Sequence, residues 1–172
     1  MPPLNSPQAY LTVLEDALVG EFRAYQMLVD VTREERRLLS ASDLPALMIL
    51  LERKETLLAE LSRLDEARQR ALTRWAAAAE VTSIATLTEL MPHLEEGTAS
   101  RLRRLREGIL ALVDEARRLA PGNRALAQTA LGHVEAVRDF LIALSQPNAG
   151  YQALGQPGPA RAESLLLAEQ WA

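Results

Sequence analysis

Apolar residues recur every three or four positions along most of this chain, which is the spacing of a helix that buries one face. The first such stretch follows Ser6 and Pro7, a pair typical of a helix N-terminus. The second follows Asp43, a residue that commonly caps a helix. The pattern predicts three long helices, at about 7–39, 44–79 and 100–145.

A Pro-Gly-Asn sequence at 121–123 interrupts the third stretch. Proline and glycine usually end a helix, because proline lacks an N–H and clashes with the preceding turn. The apolar spacing nevertheless stays in phase on both sides, and two independent helices would keep phase only by chance. This favours one long helix with a kink near Pro121 over a true break.

A glycine in the first helix and two cationic residues in the second interrupt the regular apolar pattern. Gly20 is the weak point of the first helix, since glycine is a poor helix former. Lys54 and Arg68 fall on the apolar face of the second helix. Long cationic side chains can lie along an apolar groove with their ends in water, so we expect this helix to be half exposed there.

The apolar content is mostly Leu and Ala, the best apolar helix formers, and aromatic residues make up only 4%. A less regular stretch at 81–95 predicts a connector with a short helix. The fold class predicted is all-α, an elongated antiparallel bundle or coiled coil of three long helices. The predicted bundle occupies residues 1–145, and residues 146–172 are expected to form a flexible C-terminal tail with a short apolar segment.

The 172 residues carry a net charge of −4, which argues against attraction to nucleic acid. There is no cysteine, so disulfides and thiolate metal sites are excluded. The N-terminus lacks the basic start and apolar stretch of a signal peptide, and no apolar stretch is long enough to insert in a membrane. These features predict a cytoplasmic protein.

We find no motif for catalysis, for a cofactor or for a metal. His93 and His133 belong to no Glu-x-x-His pair, and His133, beside the apolar face, is interpreted as a partly buried structural residue. No phosphate-binding loop or nucleophile elbow occurs. A bundle enzyme with inward-facing arginines is disfavoured, because most arginines lie off the apolar faces. The arginine run at 101–106 is interpreted as a solvated face that pairs with Glu107 and with acids near Glu34.

The tail departs from the bundle pattern. Two segments rich in Pro, Gly, Asn and Gln precede a short apolar run that ends in Trp171. This run is not needed to complete a three-helix core. It either docks back onto its own bundle or is an exposed motif for a partner or a dimer contact.

The order of these parts resembles the FlgN-type flagellar export chaperones over residues 8–155. The resemblance rests on the opening helix with Leu11, Leu14, Leu18 and Glu21, on Asp43-Leu44-Pro45-Ala46-Leu47 followed by Glu52-Arg53-Lys54-Glu55, on Asn123-Arg124-Ala125-Leu126, and on Tyr151-Gln152-Ala153-Leu154-Gly155. The last segment is similar to the family's Tyr-x-x-x-Gly near the C-terminus.

The resemblance implies a chaperone of flagellar type III export without nucleotide or metal. Its partners would be the C-terminal helices of hook-associated (hook–filament junction) proteins and the export gate. The cargo contacts expected on this basis are Leu141, Leu144, Leu165, Leu166, Leu167 and Trp171. Tyr151, with Gly155, is the expected export-gate contact. The alternative is a structural helical adaptor or coiled-coil dimerisation module, and monomer and homodimer stay open.

Overall fold

A computed structural model of the protein describes residues 6–81 and 84–145. In these ranges every regular element is helical and no strand occurs, which confirms the predicted all-α class. The elements in chain order are α1 (Pro7–Ala41), α2 (Leu44–Ala78), α3 (Leu87–Leu90), a 3-10 turn (Met91–His93) and α4 (Glu96–Ser145). The finer form, an elongated antiparallel bundle of three long helices, stays a prediction.

Local capping sets the junction between α1 and α2. Ser42 ends α1 in the left-handed conformation, with φ of 55°, so the chain turns at once. The Asp43 side chain then accepts a hydrogen bond of 3.2 Å from the Ala46 N–H, which caps α2. The two long helices are therefore joined by only two residues.

Gly20 allows α1 and α2 to pack closely. A Cβ at this position would lie 2.8 Å from Cδ2 of Leu64, closer than packed carbon atoms approach. The sequence marked Gly20 only as a weak point of α1. Its low helix propensity is offset here, because the missing side chain leaves room for a leucine of α2.

Lys54 and Arg68 make ion pairs with carboxylates of α1, which corrects the expectation that their charged ends reach water. The Lys54 Nζ donates to Glu35 at 2.7 Å, and the Arg68 Nε donates to Glu21 at 2.9 Å. The cationic side chains are only 26% and 20% exposed. A carboxylate that is wholly or partly buried, as Glu21 and Glu35 are, requires a cationic partner. The spacing of residues along α2 alone does not reveal these pairs.

The apolar core joins all three long helices with the connector. Its fully buried side chains form one cluster and come from α1, α2, α3 and α4: Leu14, Leu18, Leu72, Leu90 and Leu102. Trp75 closes this cluster beside the 3-10 turn, where its ring centre lies 6.2 Å from that of His93.

α4 begins at Glu96, four residues earlier than the sequence suggests, and Pro121 lies inside it. An acidic residue in the first turn favours this earlier start, because the helix N-terminus attracts negative charge. Just after the proline, the Asn123 side chain is buried and donates to the Thr32 carbonyl at 2.7 Å and to Glu35 at 2.8 Å. Glu35 thus receives donors from both α2 and α4.

By its internal contacts the chain divides into two compact units, with the division between Leu131 and Gly132 inside α4. The boundary expected near residue 145 stays a prediction. No helix of the described ranges combines the length and the apolar content needed to cross a membrane.

Candidate partner-binding surface

The last turns of α4, residues 132–145, expose the same kind of apolar side chains that the earlier part of the helix buries. Val134, Val137, Leu141 and Leu144 follow one another at three- and four-residue intervals, so they lie on one side of the helix. Each is more than half exposed, from 54% at Val134 to 66% at Leu144. We call these four residues the α4 face.

Apolar exposure extends beyond this side of the helix. Phe140 is 63% exposed and Ile142 is 49% exposed, on either side of Leu141. Val134, Val137, Leu141 and Ile142 line a shallow, open depression. A contiguous apolar surface of this kind marks a binding site more often than an ordinary solvated helix face.

Charge near the α4 face is nearly balanced. Arg138 and Asp139 form an ion pair of 2.9 Å, with both side chains about two-thirds exposed. An exposed pair of this kind contributes little free energy. Binding at this face would therefore depend on apolar contact, as in helix-in-groove recognition.

Two of the residues expected to contact cargo, Leu141 and Leu144, lie on the α4 face. The other expected contacts, Leu165, Leu166, Leu167 and Trp171, lie outside the described residues, as do Tyr151 and Gly155. Sequence reasoning did not single out Phe140 and Ile142. The run Phe140-Leu141-Ile142 was the available signal, because three consecutive apolar residues cannot all lie on one buried helix side.

A groove of about 580 Å³ with a buried ion pair lies between α1, α2, the connector at 85–88 and the first half of α4. Glu21 and Arg68 both line this groove and form the ion pair described above. Burial raises the pKa of Glu21, while its hydrogen bond from Arg68 acts in the opposite direction. Burial, and then the charge of Glu21, raise the pKa of Tyr25 in the same groove. This arrangement is a structural ion pair between helices.

Residues considered for chemistry from the sequence have other surroundings in the structure. His133 is exposed, and not partly buried as expected. Arg101 pairs with Glu15 at 2.8 Å and Arg103 approaches Glu96 at 3.8 Å, in place of the expected Glu107 and Glu34. In residues 6–81 and 84–145, no group of three acidic or histidine side chains is arranged to hold a metal ion.

Comparison with known proteins gives one result that covers most of the chain. Residues 10–159 match the family described as FlgN protein. No curated protein and no solved structure matches significantly. Because the family match extends over far more than half of the sequence, the chain belongs to the FlgN family of flagellar export chaperones.

Proposed function

We propose that this protein works in the cytoplasm, where it binds the C-terminal helices of hook-associated proteins and delivers them to the flagellar export gate. The observation that supports this proposal is the exposure of the α4 face, whose four apolar side chains are all more than half exposed. An amphipathic cargo helix could cover this face with its own apolar side. The same contact would cover the apolar side of the cargo helix and so keep the cargo from aggregating before export.

The size of the α4 face indicates that it does not act alone. Full burial of one aliphatic side chain contributes about 1.5–3 kcal/mol, so four half-exposed ones contribute about 4 kcal/mol together. Association itself costs about 4 kcal/mol or more. The apolar residues of the tail, Leu165, Leu166, Leu167 and Trp171, would supply the remainder.

Calorimetry with C-terminal peptides of hook-associated proteins tests this role. The double change Leu141→Ser and Leu144→Ser should weaken binding about tenfold or more, because it removes two of the four apolar side chains of the α4 face. A chain that ends at Leu144 should lose binding as well. Val13→Ser, at an exposed apolar residue of α1, is the matched control and should bind like the wild type.

Contact with the export gate is a separate part of the proposal and rests on the family position of Tyr151 and Gly155. Tyr151→Ala should reduce binding to the purified cytoplasmic domain of the gate and leave cargo-peptide affinity unchanged. A loss of both affinities would show that Tyr151 belongs to the cargo site.

A dimerisation module is the alternative, and the α4 face favours it equally, since a second copy could cover the same side chains. Light scattering over a range of concentrations distinguishes the two roles. A dimer that the Leu141→Ser and Leu144→Ser change dissociates, combined with no binding of cargo peptides, would support the alternative. Chaperone function predicts that cargo peptides bind whatever the oligomeric state.

A further inference from the structure

The first half of α2 carries a second exposed apolar surface, far along the chain from the α4 face. Leu44 is 53% exposed, Met48 is 68%, Leu51 is 40% and Leu58 is 49%. Their spacing of four, three and seven residues aligns them on one side of the helix. We call these four residues the α2 stripe.

Packing of α2 on α1 does not account for the α2 stripe. The side of α2 that contacts α1 carries Lys54, paired with Glu35, and Leu57, which is buried. At 3.6 residues per turn, the stripe lies roughly a third of a turn away from that side. Between 40% and 68% of the surface of each stripe residue is left uncovered when α2 packs on α1.

Carboxylates give the α2 stripe a negative character. Glu55 lies within it, between Leu51 and Leu58, and Glu52 lies along its edge, both exposed. Neither carboxylate makes an ion pair with any residue of the described ranges. Lys54 is held by Glu35, and Arg53 points to the opposite side of α2 by helical register.

We propose that the α2 stripe is a docking surface for an amphipathic helix of a partner protein that carries Arg or Lys along the edge of its apolar face. From Leu44 to Leu58 the stripe spans roughly 21 Å of helix, enough for four turns of a partner. Docking covers Glu55, and a covered carboxylate is strongly unfavourable unless the partner brings a cation to it.

The same carboxylates exclude the other occupants of such a surface. A second copy of the chain, docked through the same surface on a two-fold axis, would bring Glu52 and Glu55 of both copies together. Like charges at close range oppose that contact. An anionic lipid surface is repelled for the same reason. The α2 stripe shares no residue with the α4 face, so the proposal does not depend on cargo binding there.

Fluorescence anisotropy with two synthetic helical peptides tests the proposal on the full chain. Each peptide has about 18 residues, long enough to form a helix, with a Leu/Ala face edged by Arg in one and by Glu in the other. The Arg peptide should bind saturably and the Glu peptide should not. The double change Met48→Ser and Leu51→Ser should weaken binding of the Arg peptide about tenfold or more.

Two further variants sharpen the test. Glu52→Lys with Glu55→Lys should reverse the preference in favour of the Glu peptide. Ile49→Ser is the matched control, because Ile49 is 70% exposed on the other side of the same helix, and it should bind like the wild type. Circular dichroism checks that every variant keeps its helix content.

Three results would overturn the proposal. The first is equal binding of the Arg and Glu peptides. The second is an equal loss of affinity in Ile49→Ser and in the Met48→Ser and Leu51→Ser variant. The third is a wild-type dimer that the latter variant dissociates, because the α2 stripe would then be an interface between copies.

Discussion

Two stretches of α4 carry the same apolar spacing in opposite surroundings. In residues 96–131, Leu102 is fully buried and Ile109 is 8% exposed, in one cluster with side chains of α1 and α2. In residues 132–145, the α4 face is more than half exposed. Helical periodicity thus identifies which side of a helix is apolar, but it does not show whether anything covers that side.

The largest expected effect compares one substitution in both stretches. Leu102→Ala should destabilise the protein by about 2–5 kcal/mol, because it leaves a cavity in the core. Leu141→Ala should change the free energy of unfolding by less than about 0.5 kcal/mol, because an exposed leucine leaves no cavity. Urea unfolding measures both. Equal losses would mean that residues 132–145 are as well covered as the first stretch.

Asn123, in the first stretch, is the last buried residue along α4. Asn123→Ala should cost about 1–3 kcal/mol, since it removes a buried hydrogen bond to the Thr32 carbonyl and a partly buried one to Glu35, which is left with one donor fewer. Thr129→Ala is the control, because the exposed Thr129 hydroxyl bonds only to the carbonyl of Ala125 in its own helix. If both variants lose the same stability, Asn123 is not a specific link between helices.

Glycine to alanine changes should have opposite signs in the two stretches. A Cβ at Gly108 would lie 2.7 Å from Cε2 of Phe22, so Gly108→Ala should be destabilising by about 1 kcal/mol. A Cβ at Gly132 meets no atom of another element within 4 Å, so Gly132→Ala should stabilise by about 0.5–1 kcal/mol. Thermal unfolding measured by circular dichroism follows both variants. Stabilisation at Gly108 would show that Phe22 moves freely aside.

The smallest effect concerns pH, and it tests whether burial of the ion-paired Glu21 carboxylate makes the stability of the fold depend on pH. Burial raises the pKa of Glu21 above its ordinary value of 4.5. The folded chain therefore binds more protons than the unfolded chain just above that pH, and this group's stability contribution is lost as the pH rises through the folded-state pKa. Glu21→Gln should remove this share of the pH dependence.

Urea unfolding of wild type and Glu21→Gln from about pH 4.5 to pH 7 measures the difference. Hydrogen bonds lower the pKa of Glu34 and Glu89, so these two groups act in the opposite sense in both proteins and cancel in the comparison. Parallel curves for the two proteins would contradict the role given to Glu21.

Local features of the sequence were sufficient to predict the starts of α1 and α2, but not the start of α4. Ser6 and Asp43 act through side-chain bonds to backbone three residues ahead, so the sequence contains the whole interaction. The partners of Lys54 and Arg101 are Glu35 and Glu15, and the residues of the Arg101 pair lie 86 positions apart in the sequence. No local pattern encodes such pairs, because they depend on which helix faces lie together.

The candidate site was predictable only in part for the same reason. Leu141 and Leu144 were expected as contacts from the family resemblance, whereas their exposure depends on the absence of a covering element in the described residues. The apolar spacing that predicts α2 includes Leu44, Leu51 and Leu58 of the α2 stripe, together with residues that pack on α1. Only the structure separates the stripe residues from the side of α2 that packs on α1.

The two-residue turn at Ser42 and Asp43 has a consequence for recognition. Two residues span at most about 7 Å, so the adjoining ends of α1 and α2 cannot separate while both stay helical. The α2 stripe begins directly after this turn, at Leu44, and is therefore held on a rigid hairpin end before any partner arrives. A partner that docks there meets a preorganised surface, and the entropy of ordering falls on the partner's own chain.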